Sequence, residues 1–599
     1  MPNFSEGRDL AVVKQITDVI ESVQGIQLLD VDPGESTNRT VVTFIGEPEP
    51  VKEAAFRAVK KASELIDMSR HTGEHFRFGA TDVCPFVPVS NASMEECVEI
   101  ARQVGRRIGE ELAIPVYLYE HAASKPERQN LAKVRAGEYE GLQKKLADPA
   151  WKPDFGPAVF NPGTGATAVG AREFLIAYNI NLNTTDRRYA NELAYEIRER
   201  GRWKRTGNVE PFYYKGDQVF FEAGKYPDGN SDFVADSFEE LAAFYKNEYG
   251  ADLYRRYRSI GLDPDDLIGR PVYKDGMFTH LKGIGWVVDD YRCAQVSLNL
   301  TNYKITSPAD VLEAVRELAI ARGIVITGSE VVGVIPCDAM QEAGRFYLRR
   351  MQKSTGIPVR DIVTTAVQAM GLSDVAEFDI DKKVIGMPVP GGPLAKLTVA
   401  EFVDEVSRDT PAPGGGSIAA LAGALGSALA SMVVNLSIGK SEFDSQYDEL
   451  CQLAEKAQTI KDELVRAIDA DTEAFNEVLA GMRMAKDTAE QVALRSQVIR
   501  AGYKSAAEVP LKTAELCREV LDLCQAAANI GNTAVMSDAG VGALMALAGV
   551  QGAIHNVRIN LPHTRDDAFI TGMQAQLGAL ISESREICDA IQQQVESGF

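Results

Sequence analysis

The sequence predicts a multidomain protein: an N-terminal α+β half made of two related α/β subdomains, then a C-terminal all-α helical bundle. Three observations favour this class. Strand and helix patterns interleave irregularly over residues 1–340, a segment rich in proline and glycine occupies 377–397, and every later pattern is helical. The expected divisions are 1–183, 184–340 with an aromatic-rich insertion at 201–279, a helix and linker at 341–396, and a bundle at 397–599.

Length and charge restrict the class of protein. A chain of 599 residues needs several domains, because single cores stop growing near about 250–300 residues. The net charge of -22 argues against a nucleic-acid partner, whose binding surface would be basic. The eight cysteines form no C-x-x-C pair, so we expect reduced core residues and no disulfide framework or zinc knuckle.

Two stretches of the sequence bear on targeting and membrane insertion, the N-terminus and residues 410–439. Residues 1–6 are polar and acidic and show no secretory pattern, so we expect a cytoplasmic protein. The long uncharged run at 410–439 is rich in glycine, alanine and serine and contains Asn435. A membrane span would be more apolar at its centre, so a buried helix is the preferred interpretation and a transmembrane helix the alternative.

In the first 183 residues, apolar residues at helical spacing and β-rich runs alternate. Ser93 with Glu96 forms a capping box. The expected elements are helix 10–23, strands 26–32 and 41–46, helix 49–68, strand 76–85, helix 93–112, strand 115–119 and one long apolar strand at 166–183.

Residues 184–397 repeat this composition around the insertion. Segment 201–279 holds 16 of the 45 aromatic residues, too many for a disordered linker, so it should fold on the main domain. The other expected elements are helix 187–200, strands 283–288 and 294–300, helix 308–321, short strands near Ile324 and Val332, and helix 359–370.

Beyond the linker the pattern is that of a bundle. Small residues such as Gly423 and Gly426 would let helices approach closely. The expected helices are 399–408, 417–438, 450–479, 490–509, 511–530, 539–560 and 566–597.

Two histidines, a glutamate and an arginine fall within residues 71–77, although the chain has only six histidines. His71, Glu74 and His75 fit the H-x-x-E-H zinc pattern, but this pattern needs a helix, and Gly73 would cost that helix about 1 kcal/mol. A polar turn is a second interpretation. We favour a third, a histidine that shuttles protons where a turn meets a buried strand.

A loop rich in glycine and proline follows at 155–165. It would let backbone amides come close to a ligand, although many such loops only turn the chain. It lacks the ending of a P-loop and the spacing of a dinucleotide fingerprint.

Two sets of motifs resemble known families. The first half resembles glutamate formimidoyltransferase at residues 2–8 (PNFSEGR), 30–32, 36–40, 73–75 and 82–86. The second half resembles formimidoyltetrahydrofolate cyclodeaminase at 410–417 (TPAPGGGS), 469–471, Asn560 and 566–569. Together they resemble the bifunctional formimidoyltransferase-cyclodeaminase family over nearly the whole chain.

This resemblance implies an activity. The formimino group would move from N-formimino-L-glutamate to tetrahydrofolate, and the product would close to 5,10-methenyltetrahydrofolate with loss of ammonia, as in histidine breakdown. Tetrahydrofolate, with or without a polyglutamyl tail, would be a co-substrate, no cofactor or metal would be bound permanently, and the protein would be a homo-oligomer.

The resemblance also assigns residues in the transferase. His75 would be its acid-base residue, which leaves His71 a supporting or surface role. Independently of the resemblance, a basic residue such as Arg39 could hold a glutamate carboxylate or form a structural salt bridge. The folate-binding segment would be Gly156, Pro157, Ala158, Val159, Phe160, Asn161, Pro162, Gly163, Thr164 and Gly165. The insertion at 201–279 has no recognised counterpart in the animal members.

In the deaminase, the resemblance implies that Asp471 is catalytic, and helical geometry agrees. Asp469 and Asp471 point in nearly opposite directions at about 100° per residue. The buried stripe is expected at Leu464, Ile468, Phe475 and Val478, and Asp471 falls on it. A carboxylate there is costly unless it is paired or used, and an aspartate that ties helices together is the alternative.

Three further interpretations stay open. Residues 414–417 open a helix and could bind an anionic tail or simply cap that helix. The bundle could act as a methenyltetrahydrofolate cyclohydrolase, or it could be a non-catalytic oligomerisation scaffold.

Overall fold

The structure is a computed structural model that describes residues 1–598 except Ser36, Glu74, Ser90, Asn91, Pro390 and Pro411. The chain forms two compact units, Met1–Ala343 with Ala366–Gly386, and Gly344–Thr365 with Met387–Phe599. The predicted fold class is confirmed, because the first unit is built of sheets and helices and the second is helical.

The first unit begins with a six-stranded mixed sheet in the order β2-β3-β1-β4-β6-β5. Strands β4, β6 and β5 run parallel and the other pairs are antiparallel. The elements are β1 Asn3–Phe4, α1 Leu10–Glu21, β2 Ile26–Gly34, β3 Arg39–Gly46, α2 Pro48–Leu65, β4 Thr81–Phe86, α3 Met94–Glu111, β5 Val116–Glu120, α4 Leu131–Arg135, α5 Glu138–Ala147 and β6 Thr167–Ala171.

Two apolar layers cover this sheet. Buried side chains of α1, α2 and α3 pack with Val42, Phe44, Cys84 and Phe86 on one face. On the other face, α4 and α5 pack against β5 and β6 around Tyr117. The predicted capping box of Ser93 and Glu96 is present at the start of α3.

The rest of the first unit contains a four-stranded antiparallel sheet in the order β14-β15-β7-β16, with α6 on β14 and β15. The elements are β7 Ile176–Leu182, α6 Arg187–Ile197, β8 Arg202–Trp203, β9 Arg205–Thr206, β10 Asp217–Gln218, β11 Tyr226–Pro227, β12 Val234–Ala235, α7 Phe238–Tyr249, α8 Leu253–Ser259, β13 Tyr273–Lys274, β14 Leu281–Val288, β15 Cys293–Leu300, α9 Pro308–Ile320, β16 Ile326–Val332, β17 Ile335–Pro336, α10 Cys337–Arg350, α11 Val359–Met370, α12 Ile380–Lys383 and β18 Val384–Ile385. Of these, residues 344–350 of α10 and 359–365 of α11 belong to the second unit.

Two strand predictions in this region are wrong. The single strand expected at 166–183 is two strands, β6 and β7, which belong to different sheets on either side of Arg172 and Glu173. Both strands are buried almost throughout, so they form one apolar run whose periodicity does not reveal the change of sheet. The two short strands expected near Ile324 and Val332 are one strand, β16, and Ile324 lies in the turn after α9, where its amide donates to Ala319.

The aromatic segment 201–279 is folded, as predicted. Its short strands pair as β8 with β13, β9 with β10 and β11 with β12. Phe221, Phe238, Tyr245 and Tyr257 form a small core between α7 and α8.

The second unit contains the long helices. After the short helix α13 Val399–Val406 come the long ones, α14 Gly415–Asn435, α15 Tyr447–Arg483, α16 Ala489–Asn529, α17 Met536–Thr564 and α18 Asp567–Ser597. Helix α14 packs against α15, α16 and α17. Its small residues permit this, since a Cβ at Gly423 would lie 2.3 Å from Sγ of Cys517 and one at Gly426 would lie 2.7 Å from the carbonyl oxygen of Gly542.

The prediction of two helices separated at Pro510 is wrong, because α16 continues through this proline. Proline lacks the amide that would bind the carbonyl of residue i−4, here Ala506. Asn560 of α17 supplies the missing donor, with Nδ2 2.8 Å from the Ala506 oxygen. A side chain from a neighbouring helix therefore allows the proline inside α16.

By length and composition, two stretches could cross a membrane, Gly415–Asn435 and Thr533–Thr564. In the most apolar part of the first stretch 67% is buried inside the structure, and in that of the second stretch 39% is buried. The first stretch is α14, whose burial is that of a core helix, in keeping with the preferred interpretation of residues 410–439.

Candidate active sites

His75 lies in an irregular segment between α2 and β4. The zinc alternative requires a helix here, but residues 71–73 and 75 are not helical, and Glu74 lies outside the described residues. Within the described part of the chain, no cluster of three His, Cys, Asp or Glu side chains is arranged to hold a metal ion.

His71 is buried and supports this segment. Its Nε2 lies 2.8 Å from the carbonyl oxygen of Asn38, in the loop between β2 and β3. The Asn38 side chain donates in turn to the carbonyl of Thr72 and accepts from the amide of Gly7. These contacts fix the loop before Arg39 to the loop that carries His75.

Arg39, at the start of β3, contacts the imidazole of His75. Its Nη1 lies 2.5 Å from Nε2 and 2.7 Å from Nδ1, and Nδ1 lies 2.6 Å from the carbonyl oxygen of Phe76. A guanidinium can only donate, so the imidazole accepts from it with a free ring nitrogen. The geometry thus fits a neutral His75 whose Nδ1–H donates to Phe76.

Two fixed partners hold Arg39 in this position. Nη1 lies 2.9 Å from Oδ2 of Asp82, and Nη2 donates to Oδ1 of Asn3 at 2.6 Å. Arg135 of α4 lies 2.8 Å from the same oxygen of Asp82, whose side chain is fully buried. The structural salt bridge foreseen for Arg39 is therefore present.

Burial controls the ionisation of this group of residues. It lowers the pKa of His75 to about 4, and the charge of Arg39 acts in the same direction, while Asp82 opposes it. Burial opposes ionisation of Asp82, but the charges of Arg39 and Arg135 hold the pKa of this carboxyl below its ordinary value. At neutral pH the site contains a neutral imidazole beside charged Arg39 and Asp82.

The predicted folate segment, residues 156–165, is anchored to the same region. The carbonyls of Gly163 and Thr164 accept from the amides of Met68 and Ala80, both at 2.9 Å, and Gly165 bridges to Gly79. The middle of the segment faces solvent, with Val159 66% exposed. The structure thus brings the segment to the stretch between His75 and β4.

At positions 156 and 165 the backbone conformation and the close packing require glycine. Both adopt positive φ, +80° and +64°, and a Cβ would lie 2.3 Å from the carbonyl oxygen of Ile114 and 2.5 Å from that of Phe78, respectively. Only glycine fits such close approach in this conformation. These two residues turn the chain, and the exposed middle of the segment remains free to contact a ligand.

Arg77 was noted in the cluster at 71–77 without a role, and Tyr139 was not found from the sequence. Arg77 forms an ion pair with Glu140 and lies 4.8 Å above the ring of Tyr139. The Tyr139 hydroxyl donates to the carbonyl of Pro162 at 2.7 Å, and its ring packs on Phe160. They connect α5 to the predicted folate segment.

Asn3, Asp82 and Arg135 were missed as well. Asp82 carried a usable signal, since it is followed by the apolar run 83–86, and a charge in such a buried strand is costly without a partner. Arg135 gave no such signal, because it lies on a short helix of ordinary amphipathic composition.

In the second unit, Asp471 lies against the first turn of α14. A Cβ at Gly416 would lie only 2.0 Å from Oδ1 of Asp471. The Ser417 hydroxyl donates to the carbonyl of Ile468 at 2.7 Å, which binds α14 to α15 at this level. Burial raises the pKa of Asp471, and a hydrogen bond from the Ser417 amide partly offsets this effect. The GGGS motif and Asp471, two separate sequence signals, form one site.

Asp469 has a different environment. Its carboxylate accepts from the amides of Gly392, Leu394 and Ala395 at 2.8–3.2 Å. The expectation that Asp471 is the buried one of the pair is wrong, since Asp469 is only 6% exposed and Asp471 is half-buried. The segment after Gly391 covers the helix face that periodicity assigned to solvent.

Asn556 and Asn560 of α17 lie near this site. A Cβ at Gly415 would lie 3.0 Å from Nδ2 of Asn556. Asn560 donates to the carbonyls of Ala506 and Asn556. Resemblance indicated Asn560, whereas Asn556 was missed because a mid-helix asparagine has no distinctive pattern.

Known families match both units. The family descriptions are Formiminotransferase domain, N-terminal subdomain, for residues 1–172, Formiminotransferase domain for 177–390, and Formiminotransferase-cyclodeaminase for 398–579. Formimidoyltransferase-cyclodeaminase of Mus musculus is 37% identical over 589 residues, which cover 98% of this chain and 96% of the mouse protein.

Shorter relatives match each half. Glutamate formimidoyltransferase of Streptococcus pyogenes serotype M1 is 36% identical over 349 residues, covering 58% of this chain and 92% of the relative. Methenyltetrahydrofolate cyclohydrolase of Methylorubrum extorquens is 38% identical over 200 residues, covering 33% of this chain and 96% of the relative. By the extent and order of these matches, the chain belongs to the formimidoyltransferase-cyclodeaminase family.

Proposed function

We propose that this protein transfers the formimino group from N-formimino-L-glutamate to N5 of tetrahydrofolate and then closes the product to 5,10-methenyltetrahydrofolate with release of ammonia. The first reaction belongs to the site around His75 and the second to the site around Asp471. The observation that carries the assignment is that full-length relatives bear both activities in their names and match the chain almost end to end.

In the transferase, the bond from N5 to the formimino carbon forms before the bond from this carbon to the glutamate nitrogen breaks. The N5 proton must leave, and the departing glutamate nitrogen must gain one. His75 is neutral at pH 7, so it can accept the first proton and return it to the leaving nitrogen.

Arg39 is suited to couple substrate binding to this proton transfer. It lies beside His75, and its charge is one reason for the low pKa of the imidazole. A substrate carboxylate near Arg39 would offset that charge, raise the pKa of His75 towards neutral and make it a stronger base.

Residues 156–165 are suited to bind the folate. The two ends of the segment are fixed and its middle is exposed, which gives a ready-made contact surface close to His75. Tetrahydrofolate serves as co-substrate here, and we propose that no cofactor is bound permanently.

In the deaminase, N10 attacks the formimino carbon and the carbon–nitrogen bond to the leaving ammonia breaks. Asp471 would accept the N10 proton and donate it to the leaving nitrogen. A carboxyl whose pKa is raised by burial is a better acid for this second step than an ordinary aspartate. The amides at the start of α14 are suited to an anionic group of the folate.

The test is a spectroscopic assay with formiminoglutamate and tetrahydrofolate that follows the methenyl product, together with ammonia. We expect His75→Ala to stop transfer, and Asp471→Ala to stop ring closure and leave transfer intact. The matched controls are His121→Ala, which removes an exposed histidine of the same unit, and Glu473→Gln, which neutralises an exposed carboxylate two residues after Asp471. If His75→Ala transfers normally, or Asp471→Ala still releases ammonia, the corresponding assignment is wrong.

A second candidate for the bundle is hydrolysis of methenyltetrahydrofolate. It is favoured by the cyclohydrolase relative, which matches this region over 96% of its own length. Ammonia released in step with methenyl product supports the deaminase, whereas loss of added methenyltetrahydrofolate without ammonia supports the hydrolase. Normal deamination by Asp471→Asn would instead favour a non-catalytic scaffold.

We further propose a cytoplasmic homo-oligomer. The support is an exposed apolar row on α14, formed by Ile418, Leu425 and Met432 at seven-residue spacing, each at least 37% exposed. Analytical ultracentrifugation tests this assembly, and a monomer at micromolar concentration would contradict it. Leu425→Glu should weaken the assembly, whereas Glu473→Gln should not.

A further inference from the structure

A cavity of about 550 Å³ lies where α6 meets β8 and β13 of the aromatic segment. It is separate from the residues assigned to the two reactions. Its lining includes five arginines, Arg188, Arg198, Arg200, Arg202 and Arg205. Such a concentration of positive charge is unexpected in a chain with 63 basic and 85 acidic residues.

Two of these arginines are neutralised by carboxylates. Arg188 lies 2.6 Å from Asp186, and Arg202 lies 3.0 Å from Glu192 and 2.9 Å from Glu196. Among the described residues that line the cavity, Glu192 is the one acidic side chain, and it already binds Arg202. These ion pairs form part of the cavity wall, and their charges are already neutralised within the protein.

The other three arginines contact only neutral acceptors among the described residues. Arg198 donates to the carbonyls of Gly201 and Gly283, at 2.9 and 3.2 Å. Arg205 donates to a backbone carbonyl at 2.7 Å, and Arg200 donates to the Tyr273 hydroxyl at 3.3 Å. Three positive charges therefore lack an ion-pair partner around one cavity, and they attract anions.

Flat rings form the rest of the wall. Trp203 is 45% exposed although tryptophan is the largest apolar side chain, and Tyr195, Tyr214 and Tyr273 line the same space. The guanidinium carbon of Arg198 lies 4.0 Å from the centre of the Tyr195 ring, a cation–π contact that holds it beside this wall. Exposed aromatic rings beside arginines suit a ligand that carries both a planar ring and negative charge.

We propose that this cavity binds a nucleoside phosphate, with the base stacked on Trp203 and the phosphates held by Arg198, Arg200 and Arg205. Guanidinium groups bind phosphate oxygens with paired hydrogen bonds. The volume falls within the range of about 300–1,000 Å³ usual for small-molecule sites. A nucleotide bound here would contact none of the residues that we assign to the two folate reactions.

The experiment is calorimetric titration of the full-length protein with ADP, adenosine and pyrophosphate at low salt. We expect ADP to bind more tightly than either part alone. Arg200→Gln and Arg205→Gln should each weaken ADP binding about tenfold or more, the loss of one charge-assisted contact. Trp203→Ala should weaken ADP binding and leave pyrophosphate binding unchanged.

Arg270→Gln is the matched control, because Arg270 lies in the same aromatic segment, is paired with Asp266 and is not among the lining residues. It should bind ADP like the wild type, and circular dichroism should show all variants folded. The proposal is overturned if ADP does not bind at millimolar concentration, or if the two arginine variants bind like the control. It is also overturned if pyrophosphate or a glutamate oligomer binds more tightly than ADP.

Discussion

Asn560 should stabilise α16 at its internal proline. Pro510 cannot donate to the carbonyl of Ala506, and Nδ2 of Asn560 takes that place at 2.8 Å. Ala506 is 5% exposed, so water cannot readily replace the side chain. We expect Asn560→Ala to lower the free energy of unfolding by about 1–3 kcal/mol, the cost of a buried carbonyl without a partner.

A second substitution isolates this cause. Pro510→Ala restores a backbone amide at position 510, which can bind the Ala506 carbonyl. In that background Asn560→Ala should cost little, so a double-mutant cycle should give a coupling energy of about 1 kcal/mol or more. Gln592→Ala is the control, because its acceptor, the carbonyl of Gly540, lies within a regular helix and keeps its helical partner.

The assay is urea unfolding followed by circular dichroism, combined with hydrogen exchange of peptides from residues 489–529. Hydrogen exchange is needed because a chain of two compact units need not unfold in one step. We expect faster exchange around position 506 in Asn560→Ala and near-normal exchange in the double variant. An equal cost of Asn560→Ala with and without Pro510 would refute this account of the helix.

Three further predictions concern the two active sites. His75 has a folded pKa of about 4 against an ordinary 6.5, so below pH 6.5 the unfolded chain binds a proton that the folded chain does not. Wild type should thus lose up to about 3 kcal/mol of stability between pH 6.5 and 4 that His75→Gln does not lose, measured by urea unfolding across that range. Asp469→Ala should destabilise the bundle by about 3 kcal/mol or more in the same assay, because three backbone amides lose their acceptor, whereas Asp471→Asn should change stability by less than about 1 kcal/mol. Gly416→Ala should lower ammonia release at least tenfold (roughly 1.4 kcal/mol) without affecting transfer, because its Cβ would displace the carboxylate of Asp471, and normal release would contradict the contact.

Local sequence signals were sufficient for most of the secondary structure. The helices with clear apolar stripes and caps, such as α1, α3 and α11, end within about two residues of their predicted bounds. The errors arise where tertiary contacts decide. The division of 166–183 between two sheets depends on strand partners far apart in the chain, and the continuity of α16 through Pro510 depends on Asn560.

The candidate sites show the same limit. His75 and Asp471 were selected from the sequence by resemblance to the family, with support from the clustering of charged and histidine residues at 71–77 and from helical periodicity. Arg135 could not be linked to His75, since it lies 53 residues after its partner Asp82 and only the fold brings these two side chains together. Sequence periodicity also placed Asp469 on the open face of α15, because it takes no account of a loop that folds back over the helix.

The contrast between Asp469 and Asp471 shows how a structural carboxylate differs from one available for chemistry. Asp469 is the more buried of the two, yet its oxygens accept three amides, so its charge is fully solvated by the protein. Asp471 is less buried, but burial raises its pKa, and the described hydrogen bond that favours its charge, from the Ser417 amide, offsets this effect only in part. Among the described residues, the carboxylate of Asp471 therefore has fewer hydrogen-bond donors than that of Asp469. Burial alone would select Asp469, whereas the number of satisfied lone pairs favours Asp471, the aspartate that we propose to be catalytic.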